Sequence, residues 1–94
     1  MINKFLEYLE FEKRYSKHTI VSYKTDLLQF QAYLFLVFDL STEDATHVMI
    51  RSWMVTLVES GISSRTINRK KSTLQVFYKD LKAKVLIQES PMRK

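Results

Sequence analysis

A chain of 94 residues, 46% apolar and 13% aromatic, is long enough for one modest globular core and too apolar for a disordered tail. It has no cysteine, which excludes disulfides and thiolate metal sites, and its two histidines, His18 and His47, stand too far apart in sequence to suggest a zinc site. The formal net charge is +5, and with one glycine and one proline the chain has almost no turn chemistry for hairpins, so an all-α fold is expected.

The first helix is predicted from about Ile2 to Arg14, with Ile2, Phe5, Leu6 and Leu9 at helical spacing. Its amphipathic, acidic start is not a signal peptide. Tyr15-Ser16 breaks the pattern, and Ser16 is a good N-cap for a second helix whose apolar seam is Ile20, Tyr23, Leu27, Phe30 and Leu34. That helix is expected to end near Val37. The run Ala32 to Phe38 is too short to span a bilayer, so no membrane partner is expected and a reducing cytoplasm fits. A polar loop, Asp39 to Asp44, leads to a third helix capped by Thr46 and facing inward through Ile50, Trp53, Met54, Leu57 and Val58. Gly61 stands where a helix C-cap glycine belongs. Ser63 or Ser64 then caps a fourth helix with Ile67, Leu74, Phe77, Tyr78 and Leu81 inward, and Val85 to Lys94 reads as an exit linker.

The second and fourth helices echo one another. Laying Ser16 on Ser63 pairs Thr19 with Thr66, Ile20 with Ile67, Lys24 with Lys71, Leu27 with Leu74, Phe30 with Phe77 and Leu34 with Leu81. This suggests two helical hairpins in which these two helices play equivalent roles.

Charge is sorted along the chain. Ser63 to Lys84 holds seven cations against Asp80 alone, and Lys13 to Lys24 holds four cations and no acid. Asp39 to Ile62 instead holds four acids against Arg51. Two basic segments separated by an acidic one imply one positive face and a polyanionic partner. On the fourth helix Arg65, Arg69 and Ser72 are expected to project away from the seam, with Lys70 and Lys71 flanking it and Thr66 and Asn68 between. Arg can read guanine, Asn adenine, and Thr, Ser and Lys can hold phosphates. An ordinary solvated helix face is the competing reading of the same residues. On the second helix Lys17, His18, Thr19 and Lys24 lie near the helix start, and Tyr23 lies on the seam with a hydroxyl that could reach a phosphate. Tyr78 is expected in the core, because a nucleophilic tyrosine needs cations and an acid or base within reach, and Arg69 lies more than two turns away. No nucleotide-binding glycine motif or catalytic triad is present.

Taken together, F-L-E-Y-L-E-F-E-K-R-Y-S-K-H-T-I-V-S-Y-K-T-D-L-L-Q-F and S-S-R-T-I-N-R-K-K-S-T-L-Q-V-F-Y-K-D-L resemble the N-terminal core-binding domain of tyrosine recombinases, the phage integrase family, in an Xer-like form. Ser16, Thr19, Tyr23, Asp26, Leu27 and Phe30 match its second-helix pattern, and Ser63, Thr66, Ile67, Arg69, Lys70, Ser72, Leu74, Phe77 and Tyr78 its fourth. The chain departs from the family at Lys71, usually aliphatic, and at Ser90, usually Asn. The resemblance implies an orthogonal four-helix SAM-like bundle gripping the recombination site as half of a clamp. It places the strand-cleaving tyrosine and its partners in a separate C-terminal domain. The expectation is therefore a core-binding domain over residues 1–88 and the start of an interdomain linker over 89–94. Such a chain binds double-stranded DNA beside its own catalytic domain and other protomers, is nucleoid-associated when bound, needs no cofactor or metal, and is not an enzyme as a fragment. The rivals are a helical protein-interaction module, using Trp53 and Leu36-Val37-Phe38, and a small helix-turn-helix repressor.

Overall fold

The computed structural model describes residues 1–92; the last two positions of the predicted linker, Arg93 and Lys94, lie outside the described residues. Four α-helices form an all-α orthogonal bundle: α1 (Ile2–Phe11), α2 (Lys17–Phe38), α3 (His47–Glu59) and α4 (Ser64–Ala83). Among the described residues there is no β-strand.

The helix boundaries follow the predicted chemistry. The Oγ atoms of Ser16 and Ser63 accept the backbone N–H groups of Thr19 and Thr66 at 3.2 and 3.3 Å, so each satisfies one of the orphan donors at its helix start. Thr46 caps α3 in the same way. Gly61 has φ +81, the left-handed conformation in which a side chain is strained, and the Ile62 N–H closes back onto the Leu57 carbonyl. The first helix is shorter than its apolar spacing implied. Arg14 takes a left-handed φ of 54° and the Tyr15 N–H bonds the Leu9 carbonyl, so the chain turns away after Phe11. The polar loop after α2 is also more ordered than its composition suggested. It contains a single 3₁₀ turn, Thr42–Asp44, with Thr42 buried.

The core is a single cluster to which all four helices contribute. Phe5 and Leu9 of α1, Leu27, Phe30 and Leu34 of α2, Ile50 and Trp53 of α3, and Leu74, Phe77, Tyr78 and Leu81 of α4 are buried. Phe5 meets Phe77 edge to face at 5.2 Å, and Phe30 meets Trp53 at 5.0 Å, so aromatic pairs bridge α1 to α4 and α2 to α3. Val58, expected inward on α3, is largely exposed. The tail does not leave the bundle at Val85. Ile87 and Met92 pack against the core, Pro91 is buried, and its carbonyl lies 3.2 Å from His47 Nδ1 at the start of α3.

Tyr78 is fully buried, as its position on the seam predicted. Its hydroxyl donates to the Thr42 carbonyl at 2.6 Å and so ties the 3₁₀ turn to α4. Burial, reinforced by the nearby Glu43 carboxylate, pushes this phenol above the usual tyrosine range. Because the folded-state value is the higher one, the neutral phenol's contribution is intact below the unfolded value of about 10. It is lost as pH rises beyond that, by up to about 1.4 kcal/mol per pH unit. Tyr78→Phe should therefore cost about 1–3 kcal/mol at neutral pH, from the orphaned carbonyl. The same variant should lose less stability than the wild type between about pH 10 and 12. Denaturant titrations at both pH values measure both effects.

Candidate nucleic-acid interface

The two basic helices meet at a buried carboxylate. Asp26, one turn past Tyr23 on α2, is wholly inaccessible to solvent. Its Oδ1 accepts from Arg69 Nη2 at 2.7 Å and from Lys70 Nζ at 2.9 Å. Its Oδ2 accepts from Thr73 Oγ1 at 2.8 Å and from Arg69 Nε at 3.3 Å. Lys70 Nζ also donates to Gln29 Oε1 at 2.6 Å. Four donors from α4 thus converge on one acid of α2, and among the described residues no buried side-chain polar atom lacks a partner.

This geometry corrects two expectations about α4. Lys70, predicted to flank the seam as a ligand contact, is buried, and its ammonium is spent on Asp26 and Gln29. Arg69, predicted to project from the opposite face, instead lies bidentate on Asp26 with its side chain 45% exposed. The physical reason is register. Lys70 stands three residues after Ile67 and four before Leu74, on the apolar stripe itself, where only a paired charge is tolerated.

The remaining predicted contacts divide by exposure. Lys17, His18 and Lys24 of α2 and Arg65, Asn68, Lys71 and Ser72 of α4 are exposed. Thr19, Tyr23 and Thr66 are half-buried. The Thr19 and Thr66 hydroxyls lie 3.0 and 3.1 Å from the capping oxygens of Ser16 and Ser63, so both take part in the caps as well. Tyr23 packs edge to face on Tyr15 at 5.9 Å, and burial, followed by the neighbouring Tyr15 and Asp26, raises its phenol above the usual range. At the end of α4 the C-cap residue Lys84 is paired with Asp80 at 3.0 Å.

Asp26 is the residue that sequence reasoning passed over as a site feature. It is the only acid between Lys13 and Phe38, and like Lys70 it falls on an apolar stripe, three residues after Tyr23 and four before Phe30. An acid and a lysine on the inward stripes of two helices were a readable sign of a buried pair. The internal echo carries the same message. Offsetting by 47 residues, which lays Ser16 on Ser63, lays Asp26 on Thr73, and these two touch. Equivalent positions of α2 and α4 therefore meet at the crossing, each ten residues from its N-cap (16 to 26 and 63 to 73), or about 15 Å along its helix.

No helix of the described residues is long and apolar enough to cross a membrane. Among the described residues no group of three or more His, Cys, Asp or Glu could hold a metal ion.

Comparison with known proteins gives the class. The chain belongs to the family described as phage integrase, N-terminal SAM-like domain, whose sequence profile matches residues 2–84. It is 39% identical over 87 residues to the tyrosine recombinase XerC of Bacillus licheniformis, covering 93% of this chain and 29% of that protein. It is 37% identical over 92 residues to XerC of Bacillus subtilis, covering 98% and 30%. Against the tyrosine recombinase XerD of Rickettsia bellii it is 44% identical over 80 residues, covering 85% and 26%. The chain thus spans less than a third of the length of these recombinases. No solved structure gives a significant match.

Because Asp26 is sealed among two cations, removing it strands Lys70 without a counter-charge. Asp26→Ala should cost about 3–5 kcal/mol, whereas Arg65→Ala, at an exposed site, should change stability by less than about 0.5 kcal/mol. Urea denaturation of the two variants side by side makes the comparison.

Proposed function

We propose that this chain is the DNA-binding domain of a site-specific tyrosine recombinase, gripping duplex DNA at the recombination site while a separate catalytic domain, reached through a connector from about residue 89, cuts and rejoins strands. On this reading the domain occupies residues 1–88 and works beside other recombinase protomers in the cytoplasm, at the nucleoid. It performs no chemistry itself and uses no cofactor. Tyr78 supports that division, because a phenol sealed in the core and donating to a carbonyl has no access to a phosphodiester.

The observation that supports the reading most directly is the placement of the exposed cations. Lys17 and Lys24 on α2, and Arg65 and Lys71 on α4, all lie in the first half of helices that share a cap and a crossing point. Lys24 and Lys71 are equivalent under the internal echo, as are His18 and Arg65. Exposed cations at matched positions on two crossed helices suit a backbone that presents phosphates at regular intervals. Asn68 and Ser72 lie on the same stretch of α4 and supply polar groups for base edges or phosphates.

The interaction-module rival loses Trp53, which is buried, but keeps Leu36 and Val37, which are exposed on α2 beside Phe35. These exposed apolar side chains at the end of α2 are the observation in favour of a protein partner, while Phe38 packs against the core. They lie near the end of α2, away in sequence from Lys17 and Lys24, and another protomer is the partner this reading assigns to them.

Phosphate contacts should dominate binding to random duplex, with affinity on the order of 10⁻⁴ to 10⁻⁶ M. Four contacts correspond to a slope of about −3.6 in log K against log salt. The Lys24→Ala, Arg65→Ala, Lys71→Ala triple variant should fold normally and bind with a slope shallower by about 2.7. Fluorescence anisotropy on a labelled duplex tests this. Equal slopes for the two proteins would leave the basic stretch a solvated face and favour the protein-partner reading.

A further inference from the structure

We propose that Asp26 is a positioning residue for the nucleic-acid interface: it grips the Nε and Nη2 edge of Arg69 so that the Nη1 edge is held outward as a fixed donor to one backbone phosphate. This deepens the DNA-binding reading and rests on it.

The first observation is geometric. A guanidinium has five N–H groups in a rigid planar fork, and the Asp26 carboxylate takes only Nε and Nη2. Neither contact uses Nη1, and the Arg69 side chain is 45% exposed, so the side chain that carries the remaining donors stays open to solvent in part. Arg65, one turn earlier, and Ser72, one turn later, are exposed along the same helix. A phosphate at Arg69 would therefore find further donors on either side.

The second observation is the balance of charge. The network contains one carboxylate and two cations, and among the described residues its ion pairs are those of Asp26 with Arg69 and with Lys70. It is one anion short. Lys70 is sealed inside and carries its partners with it, so the excess positive charge is displayed at the exposed part of Arg69. A bound phosphate completes the network.

The third observation concerns order. A free surface arginine loses rotamer freedom when it captures a ligand, and that loss weakens binding. Arg69 is already immobilised by a two-point contact to a buried group, with Thr73 steadying the other side of the same carboxylate. Stability alone does not require this arrangement, since apolar residues of similar volume often contribute as much as a buried ion pair; what the network adds is a fixed register and a fixed Arg69.

The stapling and positioning roles predict opposite signs for one substitution. Asp26→Asn removes a negative charge beside the basic face. If the carboxylate is only a staple, the folded variant gains net positive charge and binds duplex as well as the wild type or better. If it positions Arg69, the variant binds more weakly in spite of its higher charge. Arg69→Lys is the companion, since it keeps the charge and loses the fork.

The experiment is a salt titration of the 94-residue chain on a labelled random duplex, with folding of each variant checked by circular dichroism at the temperature of the assay. Both variants should bind about tenfold more weakly at low salt, the scale of one charge-assisted contact, and with a slope shallower by about 0.9. Asp26→Asn binding as tightly as the wild type or tighter, or Arg69→Lys matching the wild type, overturns the proposal while leaving the DNA reading intact. If Asp26→Asn does not fold, Arg69→Lys decides alone. A wild-type chain with no salt-dependent duplex binding sinks the DNA reading, and the positioning role goes with it.

Discussion

A carboxylate with no access to water, Asp26, is the constraint around which this domain is arranged. A buried charge is tolerable only if it is paired and fully hydrogen-bonded, so α4 must deliver Arg69, Lys70 and Thr73 to one point on α2. That requirement fixes how α2 and α4 cross and in what register, because a shift of one residue on either helix would turn the donors away. It also decides which cations remain for other work. Lys70 is withdrawn into the protein, Arg69 is half withdrawn, and Lys17, Lys24, Arg65 and Lys71 stay at the surface.

The apolar core and the polar crossing support each other. Phe5 against Phe77 and Phe30 against Trp53 close the bundle around α2 and α4, and the hydroxyl of Tyr78 draws the 3₁₀ turn beneath α4. Dispersion and burial hold the helices together without specifying one rotational setting, since apolar stripes can slide. Hydrogen bonds to a buried acid are directional and lose much of their worth when misaligned. In this domain the first kind of force supplies the compactness and the second selects the arrangement that presents the basic residues.

The equivalence of α2 and α4 gives the surface its pattern. Ser16 and Ser63 have nearly the same backbone angles and cap their helices through the same i to i+3 bond. Leu27 with Leu74, Phe30 with Phe77 and Leu34 with Leu81 are all buried, while Lys24 with Lys71 are both exposed. The echo departs from identity at the crossing, where Asp26 faces Thr73. Two acids at this contact would repel, and two threonines would leave Arg69 and Lys70 without an anion.

The sequence by itself determined the helices, their caps, the core and the family. Those are local or periodic properties: a serine before an amphipathic run, a glycine after one, and apolar residues at steps of three and four. It was less informative at the ends. α1 stopped three residues early because Arg14 adopts a left-handed turn, and the expected linker folded back so that Pro91 meets His47. Only the tertiary structure decided the fate of the charges. Asp26 and its partners are 43 to 47 residues apart, and although the register of Lys70 between Ile67 and Leu74 hints at burial, it does not say which acid on which helix would meet the ammonium. Helix periodicity assigns a residue to a face. What that face meets depends on how the helices cross, and that is settled by contacts distant in sequence.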